Sequence, residues 1–126
     1  MELRLVLTVD DFDAALGLYR DALGFPELEQ WETSGDARVA ILEAGRATIE
    51  LVNEEQAATI DDVEVGRRVA GPVRIAIETP DSAALAKRLV AAGAEQLADP
   101  VVTPWNDLNV RLRAPDGMQL TLFTVQ

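Results

Sequence analysis

Histidine and cysteine, the side chains that most often supply catalytic bases and metal ligands, are both absent from this 126-residue chain. A Ser-His triad is therefore impossible, and so are disulfides and thiolate metal sites. The side chains that could do chemistry are instead charged ones, among them Arg4, Glu50 and Arg74. Guanidinium groups offer fixed donors to a carbonyl, carboxylate or phenolate, and a carboxylate could serve as a general base.

Period-two alternation predicts the strands that carry these residues. Apolar residues alternate with polar ones along Leu3–Val9 and along Val73–Glu78. The remaining predicted strands are Glu27–Thr33, Arg38–Glu43, Ala47–Val52, Glu95–Ala98, Asn109–Arg113 and Gln119–Thr124.

Two helices are predicted, each directly after an alternating strand. The first covers Phe12–Leu23, where apolar residues recur at helical spacing, with an aspartate before it and Gly24 as its stop signal. The second begins near Asp81, close to a proline in its first turn, and ends at Gly93.

The same order of elements occurs twice, which indicates an internal duplication. We predict an α+β fold in a single domain, 1–126, with two tandem βαβββ modules at 1–53 and 71–126. Because the sheet of each module has a helix on one face only, its other face must also be covered. The two sheets should therefore curl toward each other and form a curved mixed sheet around a cleft. The pattern does not decide whether the modules pair within one chain or between chains. The acidic, weakly periodic connection 54–70 could include a short helix.

Two motifs resemble the vicinal oxygen chelate superfamily, which includes glyoxalase I, extradiol dioxygenases and bleomycin resistance proteins. The segment Phe12–Phe25 is similar to the family's "FYxxxLGF" helix. Thr103-Pro104-Trp105, followed by Pro115-Asp116-Gly117, is similar to its Pro-Trp turn and Asp-Pro-Asp-Gly hairpin. The resemblance spans nearly the whole chain and implies the duplicated fold described above.

The resemblance also implies where a metal would be held. The family's His and Glu ligands fall on Arg4, Glu50, Arg74 and Thr121, of which only Glu50 is a ligand type. Arginine is a donor only and offers no lone pair to a metal. We therefore predict no metal site, no cofactor and no assigned catalytic residue.

Nine residues are predicted to contact a ligand on the concave face. They are Arg4, Trp31, Arg38, Glu50, Arg74, Trp105, Arg111, Thr121 and Phe123. For Arg4 and Arg74 an alternative is that they only neutralise Glu50, because buried charges generally occur in pairs. For the two tryptophans the alternative is that they seal the cleft edge or a dimer contact instead of stacking on a ligand.

The charge of the chain limits the kinds of molecule that it is expected to bind. Acidic residues outnumber basic ones 22 to 11, which gives a net charge of -11. This argues against nucleic acid and against anionic membrane surfaces, and it favours a cationic ligand. The chain start lacks a signal-peptide pattern and no segment approaches a membrane span, so a cytoplasmic protein is expected.

The most favoured function is that of a metal-independent small-molecule binder of the bleomycin-resistance type. Such a protein would sequester a cationic or planar aromatic natural product, such as an antibiotic, in a cleft at a homodimer interface. One alternative is a metal-free isomerase or lyase with Glu50 as its base. Another is a non-catalytic interaction module, which a cleft filled by its own side chains would favour.

Overall fold

One continuous mixed sheet forms the frame of the protein in the computed structural model, which describes residues 1–22 and 24–126. Its strands within the described residues are β1 Glu2–Thr8, β2 Glu27–Glu32, β3 Arg38–Ala44, β4 Ala47–Val52, β5 Val73–Glu78, β6 Glu95–Gln96, β7 Val101–Val102, β8 Asp107–Arg113 and β9 Gln119–Val125. Their order across the sheet is β2-β3-β4-β1-β5-β9-β8-β6, and β7 also pairs with β8. The predicted α+β architecture with a curved mixed sheet is confirmed.

The two modules lie side by side within one chain. β1 pairs in parallel with β4, and β5 pairs in parallel with β9, so each module has the same internal arrangement. An antiparallel pairing of β1 with β5 then joins the modules, with Arg4 opposite Ala76. The seam between the modules therefore runs along the middle of the sheet.

The three α-helices of the described residues are α1 Phe12–Leu16, α2 Glu54–Glu64 and α3 Ser82–Ala91. The side chains of Asp11 and Asp81 cap α1 and α3, each accepting a bond of 2.9 Å from the amide N–H three residues later. These equivalent caps match the duplicated pattern of the sequence. None of these helices is long and apolar enough to cross a membrane.

The first predicted helix is corrected in its second half. It is α-helical only over α1, and residues Gly17–Ala22 continue as a π-helical segment. Leu23, the predicted last residue, lies outside the described residues. The change begins at a glycine, whose helix propensity is low, and a stripe of apolar residues over two turns does not distinguish the two hydrogen-bonding patterns.

The second predicted strand of the second module is also corrected. The prediction of Glu95–Ala98 is shortened to β6, and β7 was not predicted from the sequence. Both short strands pair with β8, so two fragments occupy the edge where one strand was expected. Two residues are too few to show a period-two pattern.

Three apolar clusters bind the layers together. α1 packs Phe12 and Leu16 on the outer face of the first module, and α3 packs Ala86 on the outer face of the second. The third cluster lies on the concave face, where Ala57 and Ile60 of α2 pack against residues of both modules. The connection between the modules thus contains an 11-residue helix that covers part of the concave face.

A buried guanidinium group anchors α2 in this position. Arg111 of β8 is 1% exposed, and its Nη1 lies 2.7 Å from Oδ1 of Asp61 while its Nε lies 2.8 Å from Oε2 of Glu64. The other Asp61 oxygen accepts bonds from the amide N–H groups of Val69 and Ala70 at 2.6 and 2.9 Å. Burial acts to raise the pKa of Asp61, but these amides and Arg111 outweigh it and hold the pKa below its ordinary value.

Replacing Asp61 with asparagine should destabilise the fold by about 3–5 kcal/mol, because it leaves Arg111 buried without its full countercharge. The free energy of unfolding, from urea denaturation at neutral pH, measures the effect. The control is Asp62→Asn on the exposed side of the same helix, which should change stability by less than about 0.5 kcal/mol. Equal effects of the two substitutions would contradict the anchoring role of Asp61.

Candidate functional site

The concave face encloses a cleft of about 670 Å³, lined by both modules and by α2. Pleating directs every second side chain of the central strands into it. Arg4 of β1, Glu50 of β4, Arg74 of β5 and Thr121 of β9 all line this cleft. The volume falls within the range of small-molecule sites in proteins.

The four polar residues form a connected floor. Nη1 of Arg4 lies 3.2 Å from Oε1 of Glu50, and Nη2 of Arg74 lies 3.8 Å from Oε2 of the same carboxylate. Arg74 also donates from Nη1 to Oγ1 of Thr121 at 2.7 Å. Burial lowers the pKa of the Arg74 guanidinium, while Glu64 and Glu50 act in the opposite direction. These contacts match the predicted alternative in which the arginines neutralise Glu50.

The donor chemistry of the floor does not fit a divalent metal. Three of its four side chains are guanidinium or hydroxyl groups, and the one carboxylate is engaged with Arg4. Among the described residues there is no group of three or more His, Cys, Asp or Glu side chains arranged to hold a metal ion. A divalent metal would therefore lack a sufficient set of ligands at this position.

Aromatic side chains form the walls of the cleft. Trp31 on β2 and Trp105 in the turn before β8 both line it, at 36% and 37% exposure. Phe123 on β9 is 5% exposed, and the Arg4 guanidinium lies 5.2 Å from the centre of its ring. The structure thus brings residues far apart in sequence to one aromatic-walled site, in which the two partly exposed indole rings are available for stacking.

Two of the predicted ligand-contacting residues are not at the cleft surface. Arg38 lies on the helix-covered face of β3, where its Nη1 bonds to Asp13 at 3.0 Å and its guanidinium stacks on Phe12. Arg111 lies on the concave side, but its side chain is fully buried under α2. The pleat rule assigned Arg38 to the wrong face, and no local signal showed that a helix would cover Arg111.

Sequence reasoning missed Asp107, which lines the cleft at the start of β8. Its carboxylate makes no hydrogen bond or ion pair with any residue in the described part of the chain. Burial raises its pKa; Glu78 and Glu50 add to this effect, whereas Arg4 opposes it. Asp107 and Arg111 are four residues apart on β8, so the pleat directs both side chains to the same face of the sheet. Asp107 could therefore have been predicted from the sequence in the same way as Arg111.

One face of α2 was also missed. Gln56, Ile60 and Glu64 lie four residues apart on this helix and line the cleft together. Asn109 of β8 donates from Nδ2 to Oε1 of Glu64 at 2.6 Å, which ties the helix to the second module. The i, i+4 spacing was the available signal, but the mixture of polar and apolar types concealed it.

Replacing Asp107 with asparagine should keep or raise stability at neutral pH. Because its folded-state pKa is raised, ionisation of Asp107 destabilises the folded protein as pH rises above the ordinary carboxyl pKa. The thermal midpoint of the variant should therefore equal or exceed that of the wild type at neutral pH, and the difference should vanish in acid. The exposed Asp99→Asn is the control, and a clear loss of stability for the Asp107 variant would contradict this account.

Comparison with solved structures shows that the fold is widely shared. A hypothetical protein from Bacillus halodurans superposes with a TM-score of 0.72 at 18% identity, covering 98% of this chain and 92% of that chain. A variant of Streptomyces coelicolor methylmalonyl-CoA epimerase, in complex with 2-nitronate-propionyl-CoA, gives 0.68 at 23% identity, with coverages of 97% and 92%. The epimerase from Mycobacterium tuberculosis gives 0.68 at 21%, with coverages of 98% and 86%. At these identities the superpositions establish a common fold and no common ligand.

Sequence comparison shows the family. Among curated proteins, no sequence matches this chain significantly. A family model described as the Glyoxalase/Bleomycin resistance protein/Dioxygenase superfamily matches residues 3–122, nearly the full length. Together with the duplicated sheet and its cleft, this match shows that the chain belongs to the glyoxalase/bleomycin resistance protein/dioxygenase superfamily.

Proposed function

We propose that this protein binds a planar aromatic cation without a metal and sequesters it, as a resistance protein does with an antibiotic. The observation that carries the proposal is the Asp107 carboxylate, which pairs with no described residue and lies two residues after Trp105, in a cleft that Trp31 of β2 also lines. Stacking on the tryptophans would hold a flat ring, and the carboxylate would pair with its positive charge.

The charges around the cleft support a cationic ligand. Asp107 and Glu29 line it without an ion pair to any described residue, whereas Arg4 and Arg74 both pair with Glu50. The wall near Trp31 and Trp105 is therefore negative, whereas the floor has two guanidinium groups and one carboxylate, with Glu2 beside Arg4 as a further countercharge. A cation that entered would also be drawn by the net charge of -11.

Binding is preferred over catalysis by Glu50 because of the contacts of that carboxylate. Oε1 accepts a hydrogen bond from Arg4, and Oε2 faces Arg74. A general base must present a carboxylate oxygen to the proton of the substrate, and both oxygens of Glu50 face guanidinium groups instead. The enzymes among the fold relatives do not alter this preference, because they share the fold at low identity.

A titration with proflavine, a planar cation, should quench tryptophan fluorescence to saturation with EDTA present. Acridine has the same ring system and is uncharged in mildly alkaline buffer, and it should bind about tenfold more weakly. Asp107→Asn should abolish this preference, because it removes the charge while keeping the shape.

Matched controls identify the stacking residues. Trp31→Phe and Trp105→Phe should each weaken proflavine binding, whereas Tyr19→Phe on the outer face should leave it unchanged. Equal affinities for proflavine and acridine in the wild type would contradict the charge recognition. The absence of saturable binding by either dye would contradict the proposed function as a whole.

A homodimer is part of the proposal, with the cleft closed by a second copy. The strand β2 lies at the edge of the sheet, and its residues, including Leu28 and Trp31, are exposed. Multi-angle light scattering at micromolar concentration should give twice the mass of one chain. A monomer mass under these conditions would contradict the dimer.

A further inference from the structure

The longest ion pair within the described residues lies at the floor of the cleft. Nη2 of Arg74 is 3.8 Å from Oε2 of Glu50, beyond hydrogen-bonding distance. The other ion pairs of the described residues measure between 2.7 and 3.2 Å. The two charged groups are therefore close enough to attract each other but are not hydrogen-bonded.

Neither of these two atoms has another hydrogen-bonding partner among the described residues. Arg74 uses Nη1 to bond Thr121 at 2.7 Å, and Glu50 uses Oε1 to accept from Arg4 at 3.2 Å. Arg74 is only 6% exposed and Glu50 only 8%. Both residues line the open cleft, where an unpaired donor beside an unpaired acceptor can bond a ligand that carries both functions.

The partner must carry both an acceptor and a donor. A carboxylate could accept from Arg74 but could not donate to Glu50, and a simple cation could donate to Glu50 but could not accept from Arg74. A neutral group with a carbonyl oxygen beside an N–H satisfies both atoms at once, and such a group costs little to desolvate compared with an ion.

We propose that the cleft floor recognises the cis-amide edge of a planar heterocycle, such as a lactam or imide. The carbonyl oxygen accepts a hydrogen bond from Arg74 Nη2, and the ring N–H donates to Glu50 Oε2. The neighbouring Phe123 and Ile60 line the same cleft and give the ring an apolar surface. This inference rests on the ligand-binding role proposed for the cleft, independently of the charge of the ligand, and adds the class of ring that the site takes.

Two uncharged bicyclic probes of the same shape test this edge. 2-Quinolinone carries a carbonyl beside an N–H, whereas coumarin carries a ring oxygen in place of the N–H. Calorimetric titration should show 2-quinolinone binding at least about tenfold more tightly, because coumarin leaves Oε2 of Glu50 facing a lone pair. This comparison uses the unmodified protein and does not depend on the folding of any variant.

A matched pair of variants locates the effect. Glu50→Gln should reduce the preference for 2-quinolinone to less than about threefold, because one charged acceptor is lost. Glu55→Gln, at an exposed position of α2 outside the cleft lining, should retain the full preference.

The outcomes separate this inference from the proposed function. Equal affinities for the two probes in the wild type would overturn the amide-edge recognition and would indicate that water satisfies the two atoms. The same conclusion follows if proflavine binds and 2-quinolinone does not. Failure of proflavine to bind, with 2-quinolinone binding retained, would overturn the charge-based proposal and leave the floor recognition standing.

Discussion

The guanidinium of Arg111, fixed between Asp61 and Glu64, is the contact on which the interior of the protein depends. It joins β8 of the second module to the helix that follows the first, so it holds together elements about 50 residues apart in sequence. The helix in turn supplies Ala57 and Ile60 to the apolar cluster of the concave face. Without this contact, α2 would leave a charged group and an apolar surface uncovered, and the cleft would lose one of its walls.

The floor of the cleft is organised by the charges of its own side chains. Two guanidinium groups flank one carboxylate, and this pairing offsets part of the cost of burying them. The pairing is uneven, because Arg4 bonds to Glu50 and to Glu2, whereas Arg74 reaches Glu50 only loosely. The unevenness leaves hydrogen-bonding capacity on one side of the floor.

Much of the frame could be predicted from the sequence, because its signals are local. Strand alternation, the aspartate caps at Asp11 and Asp81, and the repetition of both are contained within short segments. The convergence of Arg4, Glu50, Arg74 and Thr121 followed from the pleat and the resemblance combined. The burial of the Arg111 side chain under α2 could not be predicted, because it depends on two carboxylates of a weakly periodic helix that lies far from Arg111 in sequence. Asp107 was accessible to the same pleat argument but has no counterpart among the superfamily's ligand positions.

The helix α2 has a geometric consequence for whatever enters the cleft. The sheet repeats the same module across the β1–β5 seam, which alone would give a cavity with two equivalent halves. The helix occurs only once, after the first module, so the approximate twofold relation ends at the cavity wall. A guest molecule would therefore meet different surroundings at its two ends, and the cavity favours one direction of insertion for a molecule whose ends differ.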